Sequence, residues 1–356
     1  MHPDRKRLID LIQPRELPPA RLDRLLAGGW FRGGPALFRP RVLCMEGGLF
    51  SILNIRLPLD GYSPSGSLQR ILRRHAGFRT EIGPVQPDAD TERLYQAQKA
   101  RFRGFIFPTL EDFLFAGISR SLFQTREVRV YDGDRLIAAS YFDIGARAAA
   151  SLLGLFDAEY SRLSPGLYTM LCEIRYGIGQ GLRWYYPGYV LDGDPSFNYK
   201  LRLGDMQYYT FEGRWQRMSR LDPDRLAGNV IHAAIARAEL LLSGSPIRPQ
   251  RHYNVFFSLG YLVNQQDSFL ESPLLLICRW HSEDRLIGID YLFEQGCYRI
   301  VEVYVSPDYP DIMLAEYSDA YFAQETELSG IPILEAVLDQ DPDAERIVQR
   351  LRAFMR

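Results

Sequence analysis

The sequence predicts an α+β fold, on three observations. Between residues 125 and 191, three strand-like runs are followed by one long helical run and a fourth strand-like run. Asp132-Gly133-Asp134 joins the first two of those strands, a strong hairpin signal. After Trp215 the pattern restarts with a helix, several short strands and a terminal helix, as expected of a second, smaller α+β unit.

The elements follow in order. A helix is expected from about Pro18 to Ala27, ended by Gly28-Gly29 and followed by the Gly- and Arg-rich stretch GGWFRGGPALFRPR. Alternation marks Phe50 to Leu57 as a strand. In YSPSGSLQRILRRHAGF, Ser63 or Ser65 can cap a helix with Leu68, Ile71 and Leu72 on one side and Arg70, Arg73 and Arg74 toward another. Thr91 to Phe102 and Thr109 to Ile118 read as two further helices. The strands REVRVYD, RLIAASYFDIG and AAASLLGLFD, the helix LYTMLCEIRYGIGQGL and the strand RWYYPGYVL come next. This β-β-β-α-β order, with a helix between neighbouring strands, is the core of an acyltransferase-type sheet. Beyond it come a helix in LDPDRLAGNVIHAAIARAELLLSG, short strands in HYNVFFSLGYL, LLLICRW, RLIGIDYLF and YRIVEVYV, and a basic helix in AERIVQRLRAFMR. The segments are 1–85, a basic N-terminal part; 86–215, the sheet core; and 216–356, a C-terminal α+β domain without an assigned role.

A composition of 46% hydrophobic and 24% charged residues excludes disordered, collagenous and disulfide-scaffold classes. The longest apolar runs, such as Leu274 to Cys278, fall far short of the roughly 18 residues of a spanning helix. The N-terminus has no apolar core of a secretory signal, so the expected address is the cytoplasm and no membrane partner is expected. Cys44, Cys172, Cys278 and Cys297 lie far apart with no CxxC, so no metal site is built from sequence-local pairs.

The net charge of −2 conceals an asymmetry. Residues 1–80 carry 14 basic against 6 acidic side chains, the sign expected of a surface that faces a polyanion. Only Lys6, Lys99 and Lys200 are lysines, against 39 arginines, which makes a lysine inside a motif informative. The glycine run Gly177 to Gly181 follows a helix and precedes a strand, so it reads as a helix terminus and not as a phosphate cradle. Ser164 and Pro165 mark the start of that helix, where free backbone N–H groups are available to a carbonyl or a phosphate.

Four stretches, GGWFRGGPALFRPR, SPSGSLQRILRRHAGFR, LFDAEYSRLSPGLYTMLCEI and WYYPGYVLDGDPSFNYKLRLG, resemble in this order the signature regions of the aminoacyl-tRNA–protein transferases, the arginyl and leucyl transferases of the N-degron pathway. The matching positions are Gly29-Trp30, Pro64-Ser65 with Ser67, Arg70, Arg73 and Arg74, Phe156-Asp157, Gly188-Tyr189 and Tyr199-Lys200. The resemblance spans residues 20–215. It implies a GNAT-like fold and transfer of an amino acid, arginine or leucine, from charged tRNA to the N-terminal amine of an acceptor protein or peptide. The family's clustered N-terminal cysteines have no counterpart here, where Cys44 stands alone.

An aminoacyl ester is already activated, so the enzyme need only position a neutral amine, remove its proton and stabilise the oxyanion. No cofactor is required. Arg70, Arg73, Arg74 and Lys200 are the expected cations for tRNA phosphates or an acidic acceptor, with Tyr199 beside them. Asp157 and Glu173 are the candidate carboxylates for orienting the aminoacyl group or relaying a proton, and Tyr189 is a candidate oxyanion donor. Each has a structural alternative: a solvated helix face for the arginines, a salt bridge with Asp192 or Asp194 for Lys200, a helix cap or ion pair for the carboxylates, and core packing for the tyrosines. Two other functions fit the same sequence, a CoA-dependent N-acyltransferase and a non-catalytic tRNA- or protein-binding module.

Overall fold

A computed structural model describes residues 7–45, 47–99, 107–120, 122–258, 269–307, 328 and 330–355. In chain order the first elements are β1 (Ile9–Ile12), α1 (Pro19–Ala27), β2 (Phe31–Gly33), β3 (Ala36–Pro40), β4 (Val42–Met45), β5 (Gly48–Pro58), α2 (Gly66–Arg74), β6 (Arg79–Pro84), α3 (Ala89–Lys99) and α4 (Leu110–Phe115). The central run is β7 (Thr125–Asp132), β8 (Arg135–Ile144), β9 (Ala148–Phe156), α5 (Pro165–Gly179), β10 (Trp184–Leu191), β11 (Gln207–Thr210) and β12 (Arg214–Arg217). Then come α6 (Ala227–Leu242), β13 (Gln250–Tyr253), β14 (Leu274–Trp280), β15 (Arg285–Leu292), β16 (Cys297–Ser306), β17 (Ile331–Asp341) and α7 (Ala344–Phe354).

The chain divides into two compact units, one of residues 12–39 and 53–221, the other of residues 1–11, 40–52 and 222–356. The segments drawn from the sequence are each continuous, whereas this division sends part of the N-terminal stretch to the C-terminal unit.

The first unit is built on a mixed sheet of order β12-β11-β5-β10-β9-β8-β7-β6. The Asp132-Gly133-Asp134 turn closes the β7–β8 hairpin with Gly133 at φ 58°, and β8 pairs antiparallel with β9. α5 then crosses the sheet, burying Leu167, Leu171 and Ile174, and delivers β10 parallel to β9. This is the β-β-β-α-β order expected from the sequence. Gly177 to Gly181 lies at the C-terminal end of α5, also as expected.

The parallel pairing is short. It runs through Trp184↔Ala148, Tyr185↔Ala149 and Tyr186↔Ala150 and stops there. The next two residues of β10 explain why: Pro187 has no N–H to donate, and Gly188 takes φ 91°, outside the extended region. β9 and β10 therefore part beyond this point, and the opening between them is where the cleft described below lies.

The second unit is an antiparallel meander, β13-β14-β15-β16-β17. α6 and α7 bury Ile231, Ile235, Ile347 and Leu351 against Leu276, Ile289 and Ile300. The alternate residues Leu275, Leu286, Val301 and Val303 form a second buried cluster on the other face. Burial on both faces explains why LLLIC reads as a continuous apolar run. Asp290 and Arg299 pair at 2.6 Å within the sheet, both buried.

Several local expectations differ from the structure. The helix expected at 91–102 is α3, which ends at Lys99, and residues 100–102 lie outside the described residues. The run expected as one strand at 252–262 splits into β13 and a 3-10 turn over Val255–Ser258, because the Asn254 side chain accepts from the Phe256 amide and turns the backbone; its remainder from 259 lies outside the described residues. Ser164 starts α5 but makes no side-chain cap. Its left-handed φ of 62° serves the preceding 3-10 turn, which its own N–H closes onto Ser161.

Candidate active site

The expected residues fall into three groups. Lys200 stands against Tyr189, and Tyr199 lies near both Tyr189 and Glu173. Arg70, Arg73 and Arg74 stand on α2, and Asp157 belongs to a separate charge cluster.

Glu173 projects from α5 into the sheet and is 0% exposed. Ser140 donates to Oε1 at 2.6 Å, Tyr185 donates to Oε2 at 2.7 Å, and Ser151 is a further hydrogen-bond partner. Burial pushes the carboxyl up to about 7, against the lowering effect of these three hydroxyls. The group is thus poised to gain or lose a proton near neutrality. Ser140 and Ser151 sit on β8 and β9 and Tyr185 on β10, so three adjacent strands hold this one carboxylate.

Lys200 follows β10 in the 3-10 turn Pro195–Leu203. Its ammonium donates to the Tyr189 carbonyl oxygen at 3.0 Å and lies 5.2 Å and 5.0 Å from the ring centres of Tyr189 and Phe197. A Cβ at Gly188 would come within 3.4 Å of this ammonium, so the glycine supplies both the turn and the space. Burial pushes the Lys200 ammonium down to about 8. Tyr199 is 41% exposed, but its phenol is pushed up to about 12, by burial of that end first and then by the charges of Glu173 and Tyr189, which lie near it. Phe31 extends the aromatic wall, its ring centre 5.0 Å from that of Tyr189.

Asp157 closes β9. Its side chain accepts from the Glu159 amide as an N-cap and pairs with Arg135 at 2.6 Å and Arg93 at 3.8 Å. Burial acts to raise its carboxyl, but the Glu159 amide and the two guanidinium groups outweigh it and hold the group below its ordinary range. Both the cap and the ion pair weighed as structural alternatives are formed.

α2 buries Leu68 and Ile71 and leaves Arg70, Arg73 and Arg74 exposed. Among the described residues none of the three makes an ion pair. Charge reversal of all three is expected to weaken tRNA binding and to flatten its dependence on salt, since each phosphate contact contributes about 0.7–0.9 to the slope. An unchanged slope in a filter-binding titration would place the nucleic acid elsewhere.

Sequence reasoning missed the cleft where β9 and β10 part. Arg32, Asn54, Asp143, Ser151, Tyr186 and Gly188 line it, together with Trp30, Phe31 and Trp215. The one local signal for it is the Pro187-Gly188 step inside an otherwise good strand.

A mixed sheet opened between two parallel strands, with one helix crossing between them, defines the class as an α+β fold of the β-β-β-α-β order. The particular family comes from comparison with known proteins. The family described as "Arginine-tRNA-protein transferase, C terminus" matches residues 86–210. An aspartate/glutamate leucyltransferase of Shewanella sp. (strain MR-4) is 30% identical over 212 residues, covering 58% of this chain and 85% of that protein. Its counterpart in Vibrio cholerae (El Tor Inaba N16961) is 27% identical over 215 residues, 59% of this chain and 89% of that protein. Among solved structures, the C-terminal domain of a putative lysylphosphatidylglycerol synthetase from Agrobacterium fabrum aligns with TM-score 0.34 and 14% identity over 57% of this chain and 65% of that one. A tandem GNAT protein from the clavulanic acid biosynthesis pathway aligns with TM-score 0.32 and 14% identity over 60% and 65%. The chain belongs to the aminoacyl-tRNA–protein transferase family and is an aminoacyltransferase, with a charged tRNA as donor and a protein as acceptor.

The cysteine nearest the family's clustered positions, Cys44, is buried, and burial pushes its thiol up to about 12, a poor state for a metal ligand. Chelation of iron and zinc is expected to leave transfer unchanged. Loss of activity on chelation, restored by one metal, would contradict this.

Among the described residues no helix is long and apolar enough to cross a membrane.

Proposed function

We propose that the enzyme moves leucine from leucyl-tRNA to the N-terminal amine of proteins that begin with Asp or Glu. The observation that carries the acceptor is Lys200, an ammonium held by aromatic rings over Gly188 and ready to meet one carboxylate. The names of the relatives support both donor and acceptor. For the donor, the two carboxylates expected to orient a cationic aminoacyl group are otherwise engaged, Asp157 with Arg135 and Arg93 and Glu173 with Ser140 and Tyr185. Neither is offered to an arginine side chain.

In this reading the acceptor's neutral amine attacks the ester carbonyl and the tRNA hydroxyl leaves. The proton released by the amine reaches Glu173 through Ser151, which lines the cleft, and returns to the leaving oxygen by the same route. Tyr189 and Tyr199 stand beside the reacting carbonyl as donors to its oxyanion. Arg70, Arg73 and Arg74 hold the tRNA backbone.

The test is a panel of peptides differing only in their first residue, with leucyl-tRNA as donor. Peptides starting with Asp and Glu are expected to accept leucine, and those starting with Asn, Gln, Lys or Arg are not. Equal use of Asp and Asn would remove Lys200 as the determinant.

A further inference from the structure

The cleft between β9 and β10 ends in a space too small for a side chain but built for a hydrogen-bond donor. It has room for about one water-sized group. Asn54 lines it and is 4% exposed. Its Nδ2 donates to the Gly29 carbonyl oxygen, which fixes the orientation of the amide, and its buried Oδ1 has no hydrogen-bond partner. Leaving such a buried acceptor unsatisfied is costly, so the site calls for a donor.

Asp143, 1% exposed, lines the same space. Arg32 at 2.9 Å and the Thr125 hydroxyl at 2.7 Å both bond to its Oδ1, and among the described residues no side chain bonds to its Oδ2. Arg32 does not fill the space with its own donors. Its Nε goes to the Gly34 carbonyl oxygen at 2.8 Å, and its terminal nitrogens go to Thr125, Asp143 and the Leu114 carbonyl oxygen. The space is therefore lined by acceptors, one of them a carboxylate.

We propose that this space is a subsite for a primary ammonium, and that in transfer it holds the α-amino group of the donor's aminoacyl ester between Asn54 Oδ1 and Asp143 Oδ2. Its position fits, because Gly188, which borders the space, also lies beneath Lys200, so that donor amine and acceptor carboxylate would be held on two sides of one backbone position. The inference rests on the proposed function, since it names the part of the donor that the site reads.

The test uses the full-length enzyme and two donors on the same tRNA, leucyl and its deaminated analogue, 2-hydroxy-4-methylpentanoyl, each rate divided by that of uncatalysed aminolysis of the same ester. The wild-type enzyme is expected to favour the leucyl donor by at least about 10-fold, because the hydroxyl has no charge and one proton to give. Asp143→Asn or Asn54→Ser, whichever keeps the wild-type melting temperature, is expected to bring that ratio toward one. Equal normalised rates in the wild-type enzyme would show a water-filled cavity only and overturn the subsite while leaving the leucyl transfer itself standing. An undiminished ratio in a folded variant would also overturn it. No transfer from leucyl-tRNA at all would instead sink the proposed function.

Discussion

Lys200→Ala is expected to lower transfer to an Asp- or Glu-starting peptide by about 10- to 100-fold, the loss of a charge-assisted contact of about 1.5–3 kcal/mol. Because the ammonium bonds one carbonyl oxygen and otherwise faces rings, the melting temperature should change little. Lys200→Arg should restore only part of the rate, since a planar fork does not occupy the place of a compact charge above Gly188. The pH profile supplies an independent check. With the ammonium pushed down to about 8, its charge is lost as pH rises past that value, and transfer to acidic peptides should decline there. Full activity in Lys200→Ala, with wild-type stability, would remove Lys200 from the acceptor site.

Glu173→Gln is expected to have the second large effect, on rate and on stability together. A general base contributes on the order of 100-fold or more, so transfer should fall by at least that factor. The stability effect has a definite sign. The carboxyl ionises at an ordinary value of 4.5 when unfolded and at about 7 in the folded protein. Below about 4.5 both states hold the proton. Between these values the folded state keeps a proton that the unfolded state has released, so stability falls with rising pH and the contribution is gone above about 7. The full span corresponds to roughly 3 kcal/mol, an upper figure for a fully buried group. Urea denaturation near pH 5 and pH 8 should show this decline in the wild-type enzyme and its reduction in the Gln variant. Equal pH dependence in both would mean that Glu173 ionises normally.

The order of elements in the sheet core was legible because each carries a local signal. The Asp132-Gly133-Asp134 turn marked a hairpin, alternation marked the strands, and Pro165 with Gly177 to Gly181 bracketed α5. β17 was not legible: IPILEAVLDQD is half-exposed and charged, and it becomes a strand through nine paired positions with β16. The Tyr199-Lys200 pair was readable from resemblance and from the rarity of lysine. The subsite residues were not, because Asn54, Asp143 and Ser151 come from three strands, and single polar residues within apolar runs announce nothing until the strands are set side by side. Pro187-Gly188 was visible as letters, but its consequence, the parting of β9 and β10, depends on which strand lies next to it.

The most direct test of the account follows the amino acid itself. The purified protein is mixed with leucyl-tRNA or arginyl-tRNA, each carrying a radiolabelled amino acid, and a peptide beginning with Asp, and the peptide is then sequenced from its N-terminus. The account predicts labelled leucine as a new first residue, joined to the former N-terminal Asp, and no incorporation of arginine. Labelled arginine at that position, or no label on the peptide from either donor while the protein binds charged tRNA, would contradict it.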